Sequence, residues 1–289
     1  MISNVIKSMR PKQWYKNLVL FIGVLFSSNM LNLTFLVDSG LAFLVFCLLS
    51  GSIYLINDIL DIEKDKNHPK KRKRPVPSGT LKVSHAIFFI VLFLTISFTV
   101  AYWVNQYFFL ITLFFIILLL SYSLWFKNII IADILIISSG FVIRAVAGAL
   151  AISVFVSPWL IICAFLLALF LALGKRRHEL IILGDEAKNH RIILEGYSTQ
   201  MLDQMITITT SSLIMSYSLY TFFVGNIYMM ITIPFAFYGL FKYLFLVHSK
   251  NLGGEPELIF KDKGMILSMI LWVMIVFIVI YVDKIRGIF

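Results

Sequence analysis

Apolar stretches separated by short polar breaks fill nearly the whole chain. Nine runs of roughly 20 mainly apolar residues, the length that crosses a hydrocarbon layer, fall at about 18–37, 38–59, 84–104, 107–126, 129–151, 156–174, 202–224, 226–247 and 265–283. They predict an all-α membrane protein with nine transmembrane helices in one domain spanning 1–289. Polar residues interrupt two of the runs: Asn29 and Asn32 in the first, Asp133 and Arg144 in the fifth.

The basic residues give these runs a direction. Lys7, Arg10, Lys12 and Lys16 precede run one; Lys64, Lys66 and a block from Lys70 to Lys82 separate runs two and three; Lys127 follows run four. Lys175, Arg176, Arg177, Lys188 and Arg191 follow run six, and Lys250, Lys261 and Lys263 follow run eight. The connections after runs one, three, five and seven hold no Lys or Arg, and Lys284 and Arg286 alone fall on that side. Basic short loops mark the cytoplasmic face, so the N-terminus is expected in the cytoplasm and the C-terminus outside, in a multi-pass protein of the cell membrane.

Composition agrees: 60% of the 289 residues are hydrophobic and 14% charged. The net charge of +10 then reflects orientation and anionic lipid heads, not nucleic acid. Cys47 and Cys163 sit inside apolar runs and imply no disulfide framework. The first run leads directly into a second, unlike a cleaved leader. The three long polar segments, 60–83, 175–201 and 248–264, all fall on the cytoplasmic side.

Run two ends in NDILDIEKDKNHPKKRKRPVPSG. On a helix continuing at 100° per residue, Asp58 and Asp65 project about 20° apart, with Asp61 some 60° round and Asn57 one turn from Asp61. Glu63 points about 140° away from Asp58 and, with Lys64, reads as solvated. Acids on one face repel unless a cation neutralises them. Hard oxygen ligands without Cys or paired His favour magnesium, which takes one or two carboxylates and fills its octahedron with water and substrate phosphates. The competing reading is a solvated charged helix end. For the basic run that follows, it is a positive-inside anchor. Beside the acids, Lys71, Arg72 and Arg74 are the expected phosphate contacts, Lys70 and Lys73 surface charges, and Pro69, Pro75 and Pro77 stop the helix.

Beyond run six, Lys175 and Arg176 lie at i, i+4 and i, i+3 from Glu179, so one face carries cations oriented by an acid. His178 has no partner at metal-ligand spacing; Asp185 and Glu186 read as loop acids. Arg144 lies deep in an apolar run and needs a reason; Ala145, Ala147, Gly148 and Ala149 let helices approach it closely. Asp133 caps or pairs near the surface, and Lys242 snorkels. Asp133 and Arg144 are eleven residues apart, about 16 Å on a straight helix, too far to pair directly. Contact with a substrate phosphate is the expectation, and Arg144→Leu is expected to leave the ligand-free protein as stable as the parent.

NDILDIEKD resembles the first aspartate-rich motif, N-D-x-x-D-x-x-x-D, of the UbiA superfamily of intramembrane prenyltransferases, and YSLWFK at 122–127 is similar to its Y-S-x-x-x-K element. RPKQWYKN at 10–17, HPKKRKRPVPSG at 68–79, GFVIRAVAGA at 140–149, LGKRRHEL at 173–180 and GGEPE at 253–257 together resemble the superfamily's decaprenyl-phosphate phosphoribosyltransferase branch. The resemblance implies a UbiA-type bundle of nine helices. It also implies magnesium-dependent transfer of 5-phosphoribose from phosphoribosyl diphosphate to a polyprenyl phosphate, releasing diphosphate at the cytoplasmic face.

Under that reading Asp58 and Asp61 are catalytic and Asn57, Asp61 and Asp65 hold the metal. Lys71, Arg72, Arg74, Lys175, Arg176, Arg177 and Glu179 bind donor phosphates. Lys16, Lys127 and Arg144 hold the lipid phosphate, with Tyr122 to orient one of them. Where other members of the superfamily carry a second D-x-x-x-D motif, this chain has GKRRHEL, which favours direct contact with a phosphate. Two alternatives remain: a prenyltransferase acting on a polyprenyl diphosphate with a small acceptor, and a lipid-phosphate transporter. The transporter lacks the expected inverted repeat and has little use for clustered acids. Lipid length and oligomeric state leave no mark on the sequence.

Overall fold

The computed structural model describes residues 1–69, 71–183, 192–249 and 262–286; among these there are helices and turns and no strand. Lys70, the acids Asp185 and Glu186, the GGEPE segment and most of the third polar segment lie outside the described residues. Among the described residues, seven helices are long and apolar enough to cross a membrane. The chain divides into two compact units, Met1–Leu124 with Ile143–Val156, and Trp125–Val142 with Ser157–Phe289.

The first unit begins with α1 (Ile2–Ser8), a 3-10 helix over Pro11–Phe21 and α2 (Ile22–Phe26). Run one therefore does not form a single α-helix over 18–37. Ser28 turns the chain with a positive φ of 59°, and Asn32 caps the next helix by accepting from the Thr34 N–H at 3.0 Å. Leu33–Val37 consequently open α3 (Leu33–Leu60) instead of closing the first run. The polar residues that interrupted the hydrophobic pattern supply the turn and the cap.

After α3 the chain passes Asp61 into α4 (Ile62–Lys66), a 3-10 turn over Lys71–Lys73, α5 (Val83–Val104) and α6 (Gln106–Leu124). Phe46 of α3 packs against Phe108 and Phe115 of α6, with ring centroids 6.1 and 4.8 Å apart. Around them, Leu20, Leu49, Ala101 and Ala147 close one core. The small residues of α7 (Ala132–Ala151) act as the sequence suggests. A Cβ on Gly148 would collide with the Leu20 carbonyl, and one on Gly23 would come 2.8 Å from the Ala149 nitrogen.

The second unit contains a 3-10 turn over Phe126–Asn128, the first half of α7, α8 (Pro158–Leu183), a 3-10 turn over Ile192–Gly196, α9 (Thr199–Phe223), a 3-10 segment over Ile227–Thr232, α10 (Ile233–Ser249) and α11 (Lys263–Arg286). Phe170, Leu173, Tyr197, Leu202 and Tyr243 centre its core. The 26 residues of α8 rise about 39 Å, longer than a ~30 Å hydrocarbon layer. Its last turns can therefore carry Lys175, Arg176 and Arg177 beyond the hydrocarbon layer. Run seven forms α9, whose hydroxyls bond back to the helix: Thr207 donates to Asp203 O, Thr210 to Ile206 O and Ser211 to Thr207 O. This is how so polar a helix satisfies its own side chains.

Candidate active site

In the first unit the acids sit where α3 gives way to α4. Asp61 is the junction residue, with φ −100° and ψ 15°, so the helix is interrupted there. Hydrogen bonding nonetheless persists across it, from Asp61 N to Asn57 O at 3.0 Å and from Asp65 N to Asp61 O at 2.8 Å. Asp58 and Asp65 therefore stay on one face, 0% and 1% exposed. Asn57 and Asp61 are half-buried, while Glu63 is exposed and pairs with Lys66 at 2.8 Å.

Two guanidinium groups meet the buried carboxylates. Arg74 spans both, with Nη1 2.6 Å from Asp65 Oδ2 and 3.2 Å from Asp58 Oδ1. Arg10 donates to Asp58 Oδ1 at 2.5 Å and stacks over Tyr54, 4.5 Å from its centroid. Arg10 takes a left-handed backbone, φ 54°, uncommon for a residue with a Cβ. Lys71 Nζ stands 3.8 Å from Asp65 Oδ1. Burial pulls its ammonium below the ordinary lysine range, with Asp65 opposing. Arg72 and Lys73 are exposed. Of the three basic residues singled out in this loop, Lys71 and Arg74 are brought to the acids and Arg72 is not.

Does this cluster suit magnesium? Asp58 Oδ2 is buried without a hydrogen-bond partner, and a buried carboxylate oxygen left unsatisfied is costly unless something completes it. The donors are all hard oxygens. Among the described residues no three Asp, Glu, His or Cys side chains converge on a metal-sized point. The fit is thus to a cation held through one or two carboxylates, as magnesium commonly is, rather than by three acids at once.

The second unit carries the other basic segment. Arg176 is 2% exposed; its Nε donates to Asp133 Oδ2 at 2.8 Å and its Nη1 to Glu179 Oε2 at 2.6 Å. Arg177 donates to Asp203 Oδ1 at 2.5 Å, and His248 Nε2 lies 3.3 Å from the same oxygen. Lys175 is exposed. Tyr197 donates its hydroxyl to Asp133 Oδ1 at 3.2 Å and accepts from the Ile131 N–H at 2.8 Å. Burial pushes the Tyr197 phenol up to about 12, so it remains a donor at any physiological pH. Lys127 lies in the 3-10 turn at the start of this loop, half-buried.

The remaining sequence candidates fall elsewhere in the first unit. Arg144 is 7% exposed; its Nε donates to Asn17 Oδ1 at 2.8 Å and its guanidinium lies 4.7 Å from the Phe115 centroid. Asn17 in turn donates to Cys47 Sγ at 3.3 Å. Arg144 therefore has a partner inside the protein, and the expectation that its removal leaves stability unchanged is revised. Lys16 bonds Gln13, and Tyr122 sits half-buried in the last turn of α6. Sequence reasoning missed Arg10, Asn17, Tyr197 and Asp203 as members of these clusters. Arg10 and Asn17 carried a signal, as the first and last residues of RPKQWYKN.

The described residues thus form a helical membrane protein with buried carboxylates gripped by arginines at a helix junction, and a second basic cluster on another helix end. Its sequence matches the UbiA prenyltransferase family over residues 18–270, and the chain belongs to that family of membrane transferases. It is 30% identical to decaprenyl-phosphate phosphoribosyltransferase of Corynebacterium glutamicum, covering 96% of this chain and 87% of that one. With the protein of the same name from Mycobacterium tuberculosis it shares 28% over 94% and 93%. The fold is similar to a UbiA homologue from Archaeoglobus fulgidus bound to GPP and Mg2+, with a TM-score of 0.75, 21% identity and coverage of 96% and 99%.

Proposed function

We propose that the protein transfers the 5-phosphoribosyl group of phosphoribosyl diphosphate to a polyprenyl phosphate, with release of diphosphate. The likeness to relatives named decaprenyl-phosphate phosphoribosyltransferase, which runs almost the full length of both chains, carries this reading. The basic end of α8 supports it, since the exposed Lys175 and the half-buried Arg177 suit a donor with an extra phosphate.

One or two carboxylates of the group Asn57, Asp61 and Asp65, with Asp58 beside them, would hold magnesium, which when bound would supply a Lewis acid to the leaving diphosphate. Arg74 and Arg10, oriented by Asp58 and Asp65, and Lys71 offer donors to the diphosphate oxygens. Charge grows there as the anomeric C–O bond breaks, so preorganised cations stabilise the transition state more than the ground state. A lipid phosphate oxygen, held by Lys127, forms the new bond at the anomeric carbon from the opposite face. The electron pair of the broken bond leaves with diphosphate. A phosphate monoester is already anionic, so no general base is needed.

We read the acid junction and the basic segments as cytoplasmic, from the concentration of Lys and Arg there. Residues 11–26 form a 3-10 helix of 11 residues followed by five α-helical ones, a rise of about 30 Å. Taking this segment and α9 as crossings, we read nine passes through the cell membrane, N-terminus inside and C-terminus outside. The test uses purified protein, magnesium, decaprenyl phosphate and phosphoribosyl diphosphate labelled in the ribose. Label is expected in the lipid fraction. Transfer of a polyprenyl diphosphate to a small acceptor, with no ribose entering lipid, would overturn the reading.

A further inference from the structure

The loop between Lys127 and α7 holds a backbone that its own sequence disfavours. Ile131 has φ +69°, a left-handed conformation that a β-branched side chain adopts only under constraint. Its side chain is 39% exposed, so burial of that side chain does little to offset the strain. Its carbonyl accepts from the Leu135 N–H at 3.1 Å, and its own N–H donates to the Tyr197 hydroxyl at 2.8 Å. The same hydroxyl donates to Asp133 Oδ1, and Asp133 Oδ2 is fixed by the buried Arg176. Tyr197 thus pins the loop to the basic end of α8. The loop begins with the 3-10 turn Phe126–Asn128 that carries Lys127, four residues upstream of Ile131.

We propose that Tyr197 is a positioning residue for acceptor recognition: its hydroxyl locks the strained 127–131 loop so that Lys127 meets the phosphate of the lipid acceptor. This rests on the reading of Lys127 as an acceptor contact. The geometry explains why a tyrosine is used. A phenol can accept from one backbone N–H and donate to one carboxylate at once, and burial keeps it protonated. Phenylalanine keeps the ring in its core, beside Leu202, but does neither. Glycine or asparagine at 131 would adopt the left-handed backbone with little strain and would not need the lock.

The experiment compares the parent with Tyr197→Phe, Ile131→Gly, their double variant, and Lys127→Gln. Each is assayed for kcat and for the KM of decaprenyl phosphate and of phosphoribosyl diphosphate, and for the rise in melting temperature that decaprenyl phosphate alone produces. Tyr197→Phe is expected to raise the acceptor KM about tenfold, equivalent to ~1.4 kcal/mol, and to shrink the lipid-induced thermal shift. The donor KM and kcat should stay within about twofold of the parent. Ile131→Gly should restore the acceptor KM in the Phe background. If Tyr197→Phe lowers kcat and weakens both substrates alike, or if glycine at 131 fails to rescue, the positioning role is overturned although the acceptor role of Lys127 stands. If Lys127→Gln leaves the acceptor KM and the thermal shift unchanged, Lys127 is not an acceptor contact and both readings fall.

Discussion

Arg176 is the residue on which sequence and structure make opposing predictions. Read from its neighbours along the chain, it contacts the donor's 5-phosphate, and its loss removes a charge-assisted hydrogen bond worth roughly 1.5–3 kcal/mol of binding. The fold instead buries it at 2% exposure against Asp133 at 0%, with Glu179 on its other side. Arg176→Met would leave the Asp133 carboxylate buried with the Tyr197 hydroxyl and no cation. Stripping one partner from a buried pair costs about 3–5 kcal/mol of stability, while replacing both by apolar side chains is often neutral. Thermal unfolding of the detergent-purified protein without ligand should therefore show a large loss for Arg176→Met. Arg176→Met/Asp133→Leu should recover much of it, a coupling of at least ~2 kcal/mol. Donor affinity, measured on the folded fraction, should fall less than it does for Lys175→Gln, since Lys175 is the exposed cation of the three. An Arg176→Met protein that melts like the parent yet no longer binds phosphoribosyl diphosphate would refute this reasoning and restore direct phosphate contact.

Asp65→Asn should cut turnover by about 10²-fold, the order seen when one group stabilising developing charge is lost, and shift the magnesium requirement upward; Glu63→Gln, exposed and paired with Lys66, is the control and should remain within twofold of the parent. Arg74→Gln should raise the KM for phosphoribosyl diphosphate far more than Arg72→Gln; equal effects would show that the bridge to Asp58 and Asp65 has no part in donor binding. Arg144→Leu should lower the melting temperature of the ligand-free protein, because it strands the buried Asn17 carbonyl at roughly 1–3 kcal/mol; an unchanged melt would return Arg144 to the substrate.

The helices were legible in the sequence because the hydrocarbon layer imposes one length scale on every crossing, and α3, α5, α6, α7, α8, α10 and α11 all appear near their hydrophobic runs. The first run misled for a physical reason. Hydropathy averages over a window, whereas Ser27, Ser28, Asn29 and Asn32 act through particular backbone hydrogen bonds, turning the chain and capping α3. The run thus divides between a 3-10 helix, a short α-helix and the start of the next span. The alignment of Asp58 with Asp65 was legible because helical periodicity is local and survives the interruption at Asp61.

Partners distant in sequence leave no such trace. Arg10 meets Asp58 across 48 residues, Arg176 meets Asp133 across 43 and Tyr197 meets Asp133 across 64. A linear reading therefore assigns Arg176 and Arg177 to a donor phosphate, since Asp133 and Asp203 lie far from them along the chain. Folding changes this by burying Asp58, Asp65 and Asp133, each beside an arginine. Leaving a carboxylate at 0% exposure without a cation would cost several kcal/mol, so these arginines are committed to the protein before any substrate arrives. The commitment differs in kind at the two places. Arg176 is nearly inaccessible and can act only by holding Asp133, and through it Tyr197, in place. The Arg10 and Arg74 side chains are 29% and 30% exposed, so each can keep its carboxylate and still present N–H donors to a phosphate. The same residue type therefore serves rigidity in one cluster and recognition in the other, and exposure rather than sequence position tells them apart.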